Sequence, residues 1–564
     1  MEVEVIIDNK KVKADTSETI LEVARRIGIE IPTLCYLKDV NEPASCRVCV
    51  VEVEGARNLC TACSTKVRKD MVVKTNTTKV LKARKNALEL LLSNHNKNCL
   101  NCPKNLKCDF QKLTEQFHCD TEKYAGEMNT FETDDSNYAI VRDESKCILC
   151  GKCVAVCKKL QGCSAITKVN RGFETKVSTA FEKSMKESSC VGCGQCVLVC
   201  PTGALTEKNN IPEVLDLLDK QDVIKVAQVA PAVRVSIAEA FGNEIGTFAE
   251  GKMVTALKEI GFDYVFDVNN GADFTVIEEA NELIGKLQSG KNLPLFTSCC
   301  PGWFNYVERF YPEFVNNVSS TKSPNEMLGS LVKYYFEQKG KKVEIVSVMP
   351  CTGKKREIKA HGVIDVSITT RELADLIKMK GINFNNLPDS NFDDPFGEST
   401  SAALIFGVTG GVTEAALRYA AFKLTGKKRG LIEDVRYSEG IKEVTVDIGD
   451  VKLNLAIVHG LANAKKLMEA IKDGSKKFDF VEVMACPGGC INGGGQTYVD
   501  YNKIPVSEVI KKRGAALYKA DGDCKFTGTE ENESVKIVYE EILKNNDKLI
   551  HKLLHYERGD KNFY

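Results

Sequence analysis

Residues 296–303 read FTSCCPGW, a stretch in which two cysteines follow an apolar, strand-like segment and precede a Pro-Gly pair. Neighbouring side chains of a strand point to opposite faces of a sheet. Cys299 and Cys300 are therefore expected to face different surroundings and to have different roles. If one of these thiols binds a metal, the other faces something else.

Two further strand-like segments end in cysteine in the same way. They are VEIVSVMPC at 343–351 and FVEVMACPGGC at 480–490. Open α/β sheets bind their ligands at the carboxyl ends of the strands. The three segments therefore predict one metal centre, buried between lobes and formed by cysteines that are distant along the chain. The candidate ligands are Cys300, Cys351, Cys486 and Cys490.

From about residue 210 onward, apolar strands alternate with helical segments. The other predicted strands are IKVAQVAP (224–231), YVFDVN (264–269), ALIFGVTGG (403–411) and LAIVHG (455–460). This alternation is typical of α/β layers. It predicts a large two-lobed α/β domain over residues 210–564.

The cysteine content of the chain is unusual, with 24 cysteines and only six histidines in 564 residues. The first residues lack the basic and apolar regions of an export signal, so we expect a cytoplasmic protein. In a reducing compartment, dense cysteine indicates metal binding rather than disulfides. Thiolate ligands favour zinc, copper(I) or iron–sulfur clusters.

Charge and hydropathy exclude two classes of partner. Lys plus Arg and Asp plus Glu are balanced at 77 each, and no run of eighteen apolar residues occurs. A balanced charge provides no electrostatic attraction to nucleic acid or to an anionic membrane, and a membrane-spanning helix needs a longer apolar run. We therefore expect no nucleic-acid partner and no membrane association.

One cysteine motif occurs twice in residues 126–209. Its copies are CILCGKCVAVC at 147–157 and CVGCGQCVLVCP at 190–201. The spacing resembles that of bacterial two-cluster ferredoxins, in which the fourth cysteine of each run ligates the other cluster. The resemblance implies two [4Fe–4S] clusters. One is held by Cys147, Cys150, Cys153 and Cys200, and the other by Cys190, Cys193, Cys196 and Cys157.

Residues 1–78 begin with a strand, a turn, a second strand and a helix, and they carry a spaced cysteine set. A long gap, a Cys-x-x-Cys pair and a distant fourth cysteine resemble the plant-type [2Fe–2S] ferredoxin loop, with a longer first gap. The implied ligands are Cys35, Cys46, Cys49 and Cys63. A zinc ribbon is the alternative site, and Cys60 is the alternative fourth ligand.

Residues 79–125 combine an amphipathic helix with one histidine and three cysteines, namely His95, Cys99, Cys102 and Cys108. A histidine at ligand spacing from a cysteine set is expected to be a ligand itself. Zinc also accepts a Cys3His set, but the neighbouring motifs favour a [4Fe–4S] cluster. No role is predicted for the remaining cysteines, Cys60, Cys119, Cys163 and Cys524.

These segments predict a multidomain α+β and α/β fold with four units. A β-grasp ferredoxin domain spans 1–78, and a small helical His/Cys cluster domain spans 79–125. A bacterial 2[4Fe–4S] ferredoxin domain spans 126–209, and the two-lobed α/β domain follows over 210–564.

Three motifs resemble the signatures of [FeFe] hydrogenases: TSCCPGW (297–303), MPCTGKK (349–355) and MACPGGCINGGGQ (484–496). The upstream cluster array is similar to that of the long clostridial-type enzymes. The resemblance therefore covers essentially the whole chain. It implies reversible formation of H2 from two protons and two electrons.

The resemblance also implies the cofactors. They are one [2Fe–2S] cluster, four [4Fe–4S] clusters and one diiron subcluster with CO, cyanide and azadithiolate ligands. In this family, one of the [4Fe–4S] cubanes is bridged to the diiron subcluster, and together they form the H-cluster. Cys300, Cys351, Cys486 and Cys490 match the ligands of that cubane, with Cys490 as the bridge.

Other residues match the proton path and the surroundings of the diiron subcluster. Cys299 matches the thiol that passes protons to the azadithiolate amine. The onward proton path matches Glu279, Glu282 and Ser319, whereas Glu278 is expected to lie on a solvated helix face. Lys354 matches the lysine that donates a hydrogen bond to a cyanide ligand. The remaining pocket residues are Met349, Met484, Ala230, Pro231, Ala232, Pro324, Gly488 and Gly489.

Three positions depart from the family pattern: Ala232 replaces a frequent serine, Asn325 a more usual glutamine and Pro487 a histidine of some relatives. None of them removes a predicted ligand or Cys299. We therefore expect catalysis to survive, with effects on redox potential or oxygen sensitivity.

The resemblance leaves the redox partner open. It implies ferredoxin, or a partner subunit in a larger NAD(P)H- and ferredoxin-linked complex. No nucleotide-binding motif occurs, so any flavin or pyridine nucleotide would be bound by a partner. Maturation proteins are needed to load the diiron subcluster. A non-catalytic electron carrier or sensor, and an iron–sulfur assembly protein, are the alternative functions.

Overall fold

The computed structural model describes residues 1–556. Residues 557–564, at the end of the predicted domain 210–564, lie outside the described residues.

Residues 1–78 form a small sheet with a helix. The strands are β1 (Glu2–Ile7), β2 (Lys10–Asp15), β3 (Val50–Val53), β4 (Cys60–Thr61) and β5 (Met71–Lys74). Their order is β2-β1-β5-β3-β4, and only the β1–β5 pair is parallel. Helix α1 (Ile20–Arg26) begins at a capping box, in which Thr19 and Glu22 satisfy each other's backbone N–H groups.

The second unit contains two helices, α2 (Thr78–Leu92) and α3 (Asp109–Gln116). His95 lies just after α2, and the side chain of Cys108 accepts the N–H of Gln111 at the start of α3. The ring of His95 packs edge-on against Phe110, with 5.1 Å between centroids. The histidine and the last cysteine of the motif therefore lie at the helix ends that face each other.

The third unit contains two short antiparallel ribbons. Strands β6 (Ile140–Arg142), β7 (Thr167–Val169), β8 (Lys176–Ser178) and β9 (Leu205–Glu207) pair as β6 with β9 and β7 with β8. Helices α4 (Lys152–Ala155) and α5 (Gln195–Val199) each follow a glycine of positive φ, Gly151 or Gly194. The two copies of the cysteine motif thus share one turn, which requires glycine.

Residues 210–556 are built around two four-stranded sheets. Along the chain, the strands are β10 (Ile224–Val229), β11 (Tyr264–Asp267), β12 (Leu295–Phe296), β13 (Val343–Met349), β14 (Val366–Thr369), β15 (Ile441–Ile448), β16 (Val451–His459) and β17 (Phe480–Met484). One sheet has the order β11-β10-β13-β14 and is entirely parallel. The other has the order β12-β17-β16-β15, and only β15 runs antiparallel to its neighbour.

Helices connect these strands, as parallel pairing requires. They are α6 (Ile211–Leu218), α7 (Glu250–Ile260), α8 (Val268–Ser289), α9 (Pro301–Phe310), α10 (Pro324–Gln338), α11 (Lys354–His361), α12 (Thr370–Met379), α13 (Ser401–Leu404), α14 (Gly411–Thr425), α15 (Leu461–Lys472), α16 (Val506–Asp523), α17 (Glu533–Ile537) and α18 (Asp547–Leu554). Each sheet packs against its own apolar core. The mixed α/β, multidomain architecture is as predicted.

One predicted strand is helical. Residues 403–411 lie in α13, in a 3-10 turn over Ile405–Gly407 and at the start of α14. Ala403, Leu404 and Ile405 are almost fully buried. A short apolar run that is buried on all sides has no period that separates helix from strand, which explains the error. Strands β14 and β15 were not predicted.

The two adjacent cysteines do not belong to a strand. Strand β12 ends at Phe296, and Thr297 donates the last ladder hydrogen bond, to Val481. The N–H of Ser298 instead donates to a carboxylate oxygen of Glu279 at 3.3 Å. This interaction diverts the backbone from the sheet before Cys299 and Cys300, so the predicted alternation of strand faces does not apply to them.

None of the helices in residues 1–556 combines the length and the apolar character that crossing a bilayer requires.

Candidate active site

A cavity lies where the carboxyl ends of strands from both sheets meet the start of α10. The space between and around its lining atoms is about 740 Å³, part of it open to solvent. Residues 230–232 follow β10, Met349 and Met484 end β13 and β17, and residues 350–351 and 485–490 follow those two strands. The lining residues that the sequence predicted are Ala230, Pro231, Ala232, Cys299, Cys300, Pro324, Met349, Cys351, Lys354, Met484, Cys486, Gly489 and Cys490.

Four cysteines from three segments line this cavity: Cys300, Cys351, Cys486 and Cys490. Burial raises the pKa of all four thiols, that of Cys351 to about 11, and repulsion from neighbouring thiolates contributes for Cys351, Cys486 and Cys490. Four thiolates cannot share an apolar cavity without a compensating positive charge. Iron supplies that charge and deprotonates coordinating thiols, so the donor set fits a thiolate-held cluster.

A buried amide at the cavity also fits a bound acceptor. The side chain of Gln228 donates to Oδ1 of Asn325 at 2.6 Å and to its backbone oxygen at 2.7 Å. Asn325 lines the cavity, and its buried Nδ2 has no hydrogen-bond partner within residues 1–556. A buried donor is costly to leave unpaired, so the Nδ2 group suits a ligand that accepts hydrogen bonds.

Only one of the two predicted glycines lines the cavity. Gly489 lines the cavity with φ +95°, and an added Cβ would lie 2.7 Å from the backbone nitrogen of Thr409. Gly488 is not among the cavity-lining residues, and an added Cβ there would meet Ile510 at 2.5 Å. Both glycines have positive φ and lie where an added Cβ would clash with a neighbouring segment, the backbone at Thr409 or the side chain of Ile510.

Lys354 reaches the cavity from the start of α11. Its ammonium group donates to both carboxylate oxygens of Glu357 at 2.8 Å. Burial lowers the pKa of Lys354, but attraction by Glu357 outweighs this and the net shift is upward. Glu357 was not predicted from the sequence, although its spacing of three residues from Lys354 on one helix was a usable signal.

The residues of the predicted proton path interact in turn: Cys299 with Glu279, Glu279 with Ser319, and Ser319 with Glu282. Burial, followed by repulsion from Glu279, raises the pKa of the Cys299 thiol far above its ordinary value. Burial and then Glu282 raise the pKa of Glu279 to about 8. The hydroxyl of Ser319 donates to Oε2 of Glu282 at 2.8 Å.

Thr321 was not predicted, yet it joins this path from the side. Its hydroxyl lies 2.9 Å from that of Ser298 and 3.0 Å from that of Ser319. Glu278 does not lie on a solvated face as expected. It accepts a hydrogen bond from the hydroxyl of Tyr539 and lies 3.1 Å from Nε2 of His555, because α8 is covered there by the C-terminal segment.

The cysteines of the third unit fall into two groups. Cys147, Cys150, Cys153 and Cys200 line one small cavity. Cys157, Cys190, Cys193 and Cys196 line a second one, together with Cys163. The structure thus brings each run's fourth cysteine to the other run. Cys163, to which no role was given, adjoins the second group.

The first unit brings its cysteines together in pairs. The Sγ atoms of Cys49 and Cys63 are 3.4 Å apart, and both residues are buried. A hydrogen bond joins Cys35 and Cys46. Cys60 is only half-buried and lies in β4. This arrangement favours Cys63 over Cys60 as the fourth ligand.

His95 is buried in the second unit. Burial lowers its pKa to about 4, so the imidazole is neutral at physiological pH. The Nδ1 atom has no hydrogen-bond partner in the described part of the chain. A neutral imidazole is the form that binds metal.

Family models match most of the chain. "2Fe-2S iron-sulfur cluster binding domain" matches residues 1–78, "NADH-ubiquinone oxidoreductase-G iron-sulfur binding region" 84–123 and "4Fe-4S dicluster domain" 146–204. "Iron only hydrogenase large subunit, C-terminal domain" matches 223–494, and "Iron hydrogenase small subunit" matches 507–557.

Two relatives are similar over almost their entire length. The NADP-reducing hydrogenase subunit HndD of Solidesulfovibrio fructosivorans is 44% identical, over 98% of this chain and 98% of its own. Iron hydrogenase 1 of Clostridium pasteurianum is 38% identical, over 98% and 99%. The chain belongs to the iron-only hydrogenase family. The predicted family is thereby confirmed, and the chain is an oxidoreductase that acts on H2.

A solved structure supports the same family assignment. A variant of [FeFe]-hydrogenase HydA1 from Chlamydomonas reinhardtii superposes with a TM-score of 0.55 at 35% identity. It covers 62% of this chain and 98% of its own length. Together with the matched domains, the comparison supports 2Fe–2S and 4Fe–4S clusters and an H-cluster in this hydrogenase.

Proposed function

We propose that this hydrogenase catalyses 2H⁺ + 2e⁻ ⇌ H2 in the cavity at the carboxyl ends of the strands. The observation that carries the proposal is the convergence of Cys300, Cys351, Cys486 and Cys490 on one apolar cavity that Cys299 also lines. Those four cysteines would hold a [4Fe–4S] cubane, and Cys490 would bridge to the diiron subcluster. When bound, that subcluster supplies the metal at which protons and electrons combine.

The pocket residues hold and orient this group. Lys354, neutralised by Glu357, and the unpaired Nδ2 of Asn325 would donate hydrogen bonds to acceptor ligands such as cyanide. Met349, Met484 and the segment Ala230–Ala232 exclude water around it. Pro324 closes the cavity at the start of α10. The diiron subcluster with its CO, cyanide and azadithiolate ligands would be loaded by maturation proteins.

Protons would enter and leave through Cys299, Glu279, Ser319 and Glu282. A pKa of about 8 lets Glu279 gain and lose a proton near neutrality, which suits a general acid–base group. The hydroxyl of Ser319 connects Glu279 to Glu282, whose side chain is only partly buried. The chain thereby offers a route of protein atoms from a buried thiol towards solvent.

Electrons would pass through the N-terminal clusters, one [2Fe–2S] and three [4Fe–4S]. Gly302 lies between the innermost cluster and the cavity: an added Cβ there would be 3.8 Å from Cβ of Cys193 and 4.0 Å from Sγ of Cys300. At the outer end, the amide of Asn41 donates to the backbone oxygens of Cys35 at 2.7 Å and Cys150 at 3.1 Å.

The His95 site would supply a second entry point for electrons. Sγ of Cys108 lies 3.3 Å from the backbone oxygen of Pro201, next to Cys200. Both the first and the second unit thus contact the backbone at or beside a proposed ligand of the Cys147, Cys150, Cys153 and Cys200 cubane. Electrons from two donors would meet at that cubane and continue to the cluster of Cys157, Cys190, Cys193 and Cys196.

The redox partner is proposed to be ferredoxin or a partner subunit. The likeness to a subunit of an NADP-reducing hydrogenase favours the second arrangement. In that case a flavin- and NAD-binding partner would pass electrons to the outer clusters. We also propose a cytoplasmic location, the unit boundaries 1–78, 79–125, 126–209 and 210–564, and two lobes, one around each four-stranded sheet.

Infrared spectroscopy of anaerobically matured protein tests the proposal. Bands of CO and cyanide on iron, with H2 release from reduced ferredoxin, are the expected result. The Cys299→Ala variant should keep the bands and lose most of the H2 release, because Cys299 is not a ligand. Absence of the bands in fully matured protein would leave a non-catalytic electron carrier, one of the alternative functions.

A further inference from the structure

The C-terminal segment places a histidine at the outer end of the proton path. We propose that His555 is a proton-relay residue that connects Glu282, through the hydroxyl of Ser320, to Glu278 and the surface. This inference rests on the proposed function and extends it beyond Glu282. It gives the segment after α18 a part in proton transfer.

The first observation concerns Glu282, whose two carboxylate oxygens face different groups. Oε1 lies 3.1 Å from the ammonium group of Lys286. Oε2 accepts hydrogen bonds from the hydroxyl of Ser319 at 2.8 Å, and from the N–H and hydroxyl of Ser320 at 2.9 and 3.2 Å. A proton arriving from Ser319 therefore reaches an oxygen that already contacts the hydroxyl of Ser320.

The second observation concerns the imidazole of His555, which has a partner at each nitrogen. Nδ1 lies 3.0 Å from the hydroxyl of Ser320, and Nε2 lies 3.1 Å from Oε2 of Glu278. An imidazole with a partner at each nitrogen can take a proton on one side and release another on the other side. The side chain of His555 is 12% exposed and that of Glu278 is 14% exposed.

Backbone pairing fixes this geometry. Thr321 and His555 form an antiparallel bridge. The N–H of Lys322 donates to Leu554 at 2.8 Å, and the N–H of Tyr556 donates to Ser320 at 2.9 Å. The imidazole is therefore held opposite Ser320 by the same segment that carries Ser319.

Charged and titratable groups face the imidazole from each of the elements that pack against it. Glu278 and Glu282 face it from α8. His551 stacks on it from α18, with 5.0 Å between centroids and 7° between planes. The hydroxyl of Tyr539 donates to the other oxygen of Glu278.

The transfer moves one proton and no electrons. When Glu282 releases a proton, the hydroxyl of Ser320 takes it and gives its own hydrogen to Nδ1 of His555. The ring then releases its Nε2 hydrogen to Glu278 and is left with a hydrogen on Nδ1. Exchange with solvent, in which Nδ1 loses one proton and Nε2 gains one, restores the starting tautomer. The net change is one proton moved from Glu282 to Glu278, and the reverse order brings a proton inward.

The test compares three single variants of the full-length, matured enzyme: His555→Gln, Glu278→Gln and the control His551→Gln. A glutamine at 555 keeps hydrogen bonding but cannot shuttle a proton. We expect His555→Gln to lower the H2 evolution rate about fivefold, less than the roughly 10²-fold typical of losing a general acid–base group, because solvent still reaches Glu282. The solvent deuterium isotope effect should rise, and His551→Gln should match the unsubstituted enzyme.

Two further measurements distinguish a role of His555 in proton transfer from a purely structural role. Since His555 and Glu278 act in series, the double variant should be no slower than the slower single variant. Added imidazole should restore much of the rate of His555→Ala. The CO and cyanide bands and the apparent Tm should stay unchanged in His555→Gln.

An unchanged rate and isotope effect in His555→Gln would overturn the relay. So would a slower rate that follows a loss of CO and cyanide bands and that imidazole does not restore, since that pattern is structural. Missing bands and missing H2 release in the unsubstituted chain would instead overturn the proposed function, and the relay with it.

Discussion

At the scale of single residues, burial sets the chemistry of the site. Glu279 is 1% exposed, and burial, aided by repulsion from Glu282, raises its pKa to about 8. The same carboxyl titrates near 4.3 in an unfolded chain. The folded state therefore binds one more proton than the unfolded state between these values, so this group's contribution to stability is lost as pH rises through about 8.

Glu279→Gln should separate proton transfer from stability. We expect H2 evolution to fall roughly 10²-fold or more, because a neutral amide cannot carry protons. The apparent Tm should lose part of its decline between about pH 5 and pH 8, because the titrating group has gone. Glu278→Gln is a comparison for the Tm profile only, because Glu278 belongs to the proposed relay and its substitution is also expected to slow H2 evolution. A Tm profile for Glu279→Gln that declines as in the parent would contradict the assigned pKa.

Glu357→Gln should destabilise the enzyme. It leaves the ammonium group of Lys354 buried without its carboxylate, and breaking a buried ion pair on one side costs about 3–5 kcal/mol. Thermal unfolding of the variant measures the loss. The double variant Lys354→Met with Glu357→Gln should recover part of it, because no unpaired charge remains. A double variant less stable than Glu357→Gln would argue against the ion pair as the cause.

At the scale of elements, the site depends on the conformation of the loops that follow the strands. The loop after β17 carries Cys486 and Cys490, and its course requires φ +81° at Gly488 and φ +95° at Gly489. Only glycine adopts such angles without strain. The local conformation after this strand therefore decides whether two of the four thiols reach the cavity.

Gly489→Ala should damage the cavity. The strain at positive φ costs about 1–3 kcal/mol, and the added Cβ would also press against Thr409 at 2.7 Å. Fewer molecules should then show CO and cyanide bands after maturation. Gly285→Ala is the matched control: Gly285 lies within α8 with open space around it, so alanine should stabilise that helix by about 1 kcal/mol. Equal loading in both variants would contradict the argument.

At the scale of the whole molecule, four units are arranged so that each cysteine group adjoins the next. Asn41 joins the first unit to Cys150, and Gly302 separates Cys193 from Cys300. In the proposed electron route, the cluster of Cys157, Cys190, Cys193 and Cys196 would be the last step before the cavity. Loss of that cluster is expected to isolate the active site from its donors.

Cys157→Ala should remove one cluster and its electron transfer. Purified protein should lose the iron and the electron paramagnetic resonance signal of a single cluster, and ferredoxin-driven H2 release should nearly stop. Cys163→Ala is the matched control, because Cys163 lines the same small cavity but lies outside the motif. Full iron content in Cys157→Ala together with loss of iron in Cys163→Ala would show that Cys163, and not Cys157, is the ligand.

Local spacing in the sequence predicted the cysteine runs and most strands of residues 210–556, because these features depend on neighbours along the chain. It failed at residues 403–411 because a short run buried on all sides shows no period. It also failed at Cys299 and Cys300, where a hydrogen bond from Ser298 to Glu279 ends the strand.

By itself, the sequence determined the family, the cluster-bearing units and the cysteines that are candidates for iron. Only the tertiary structure decided that Gln228 holds Asn325, that Glu357 neutralises Lys354 in the cavity and that Thr321 joins the proton path. It alone placed His555 beside Ser320 and Glu278. Most of these pairs join residues far apart in the chain, and their contact arises from the packing of helices and sheets, which spacing along the sequence does not encode.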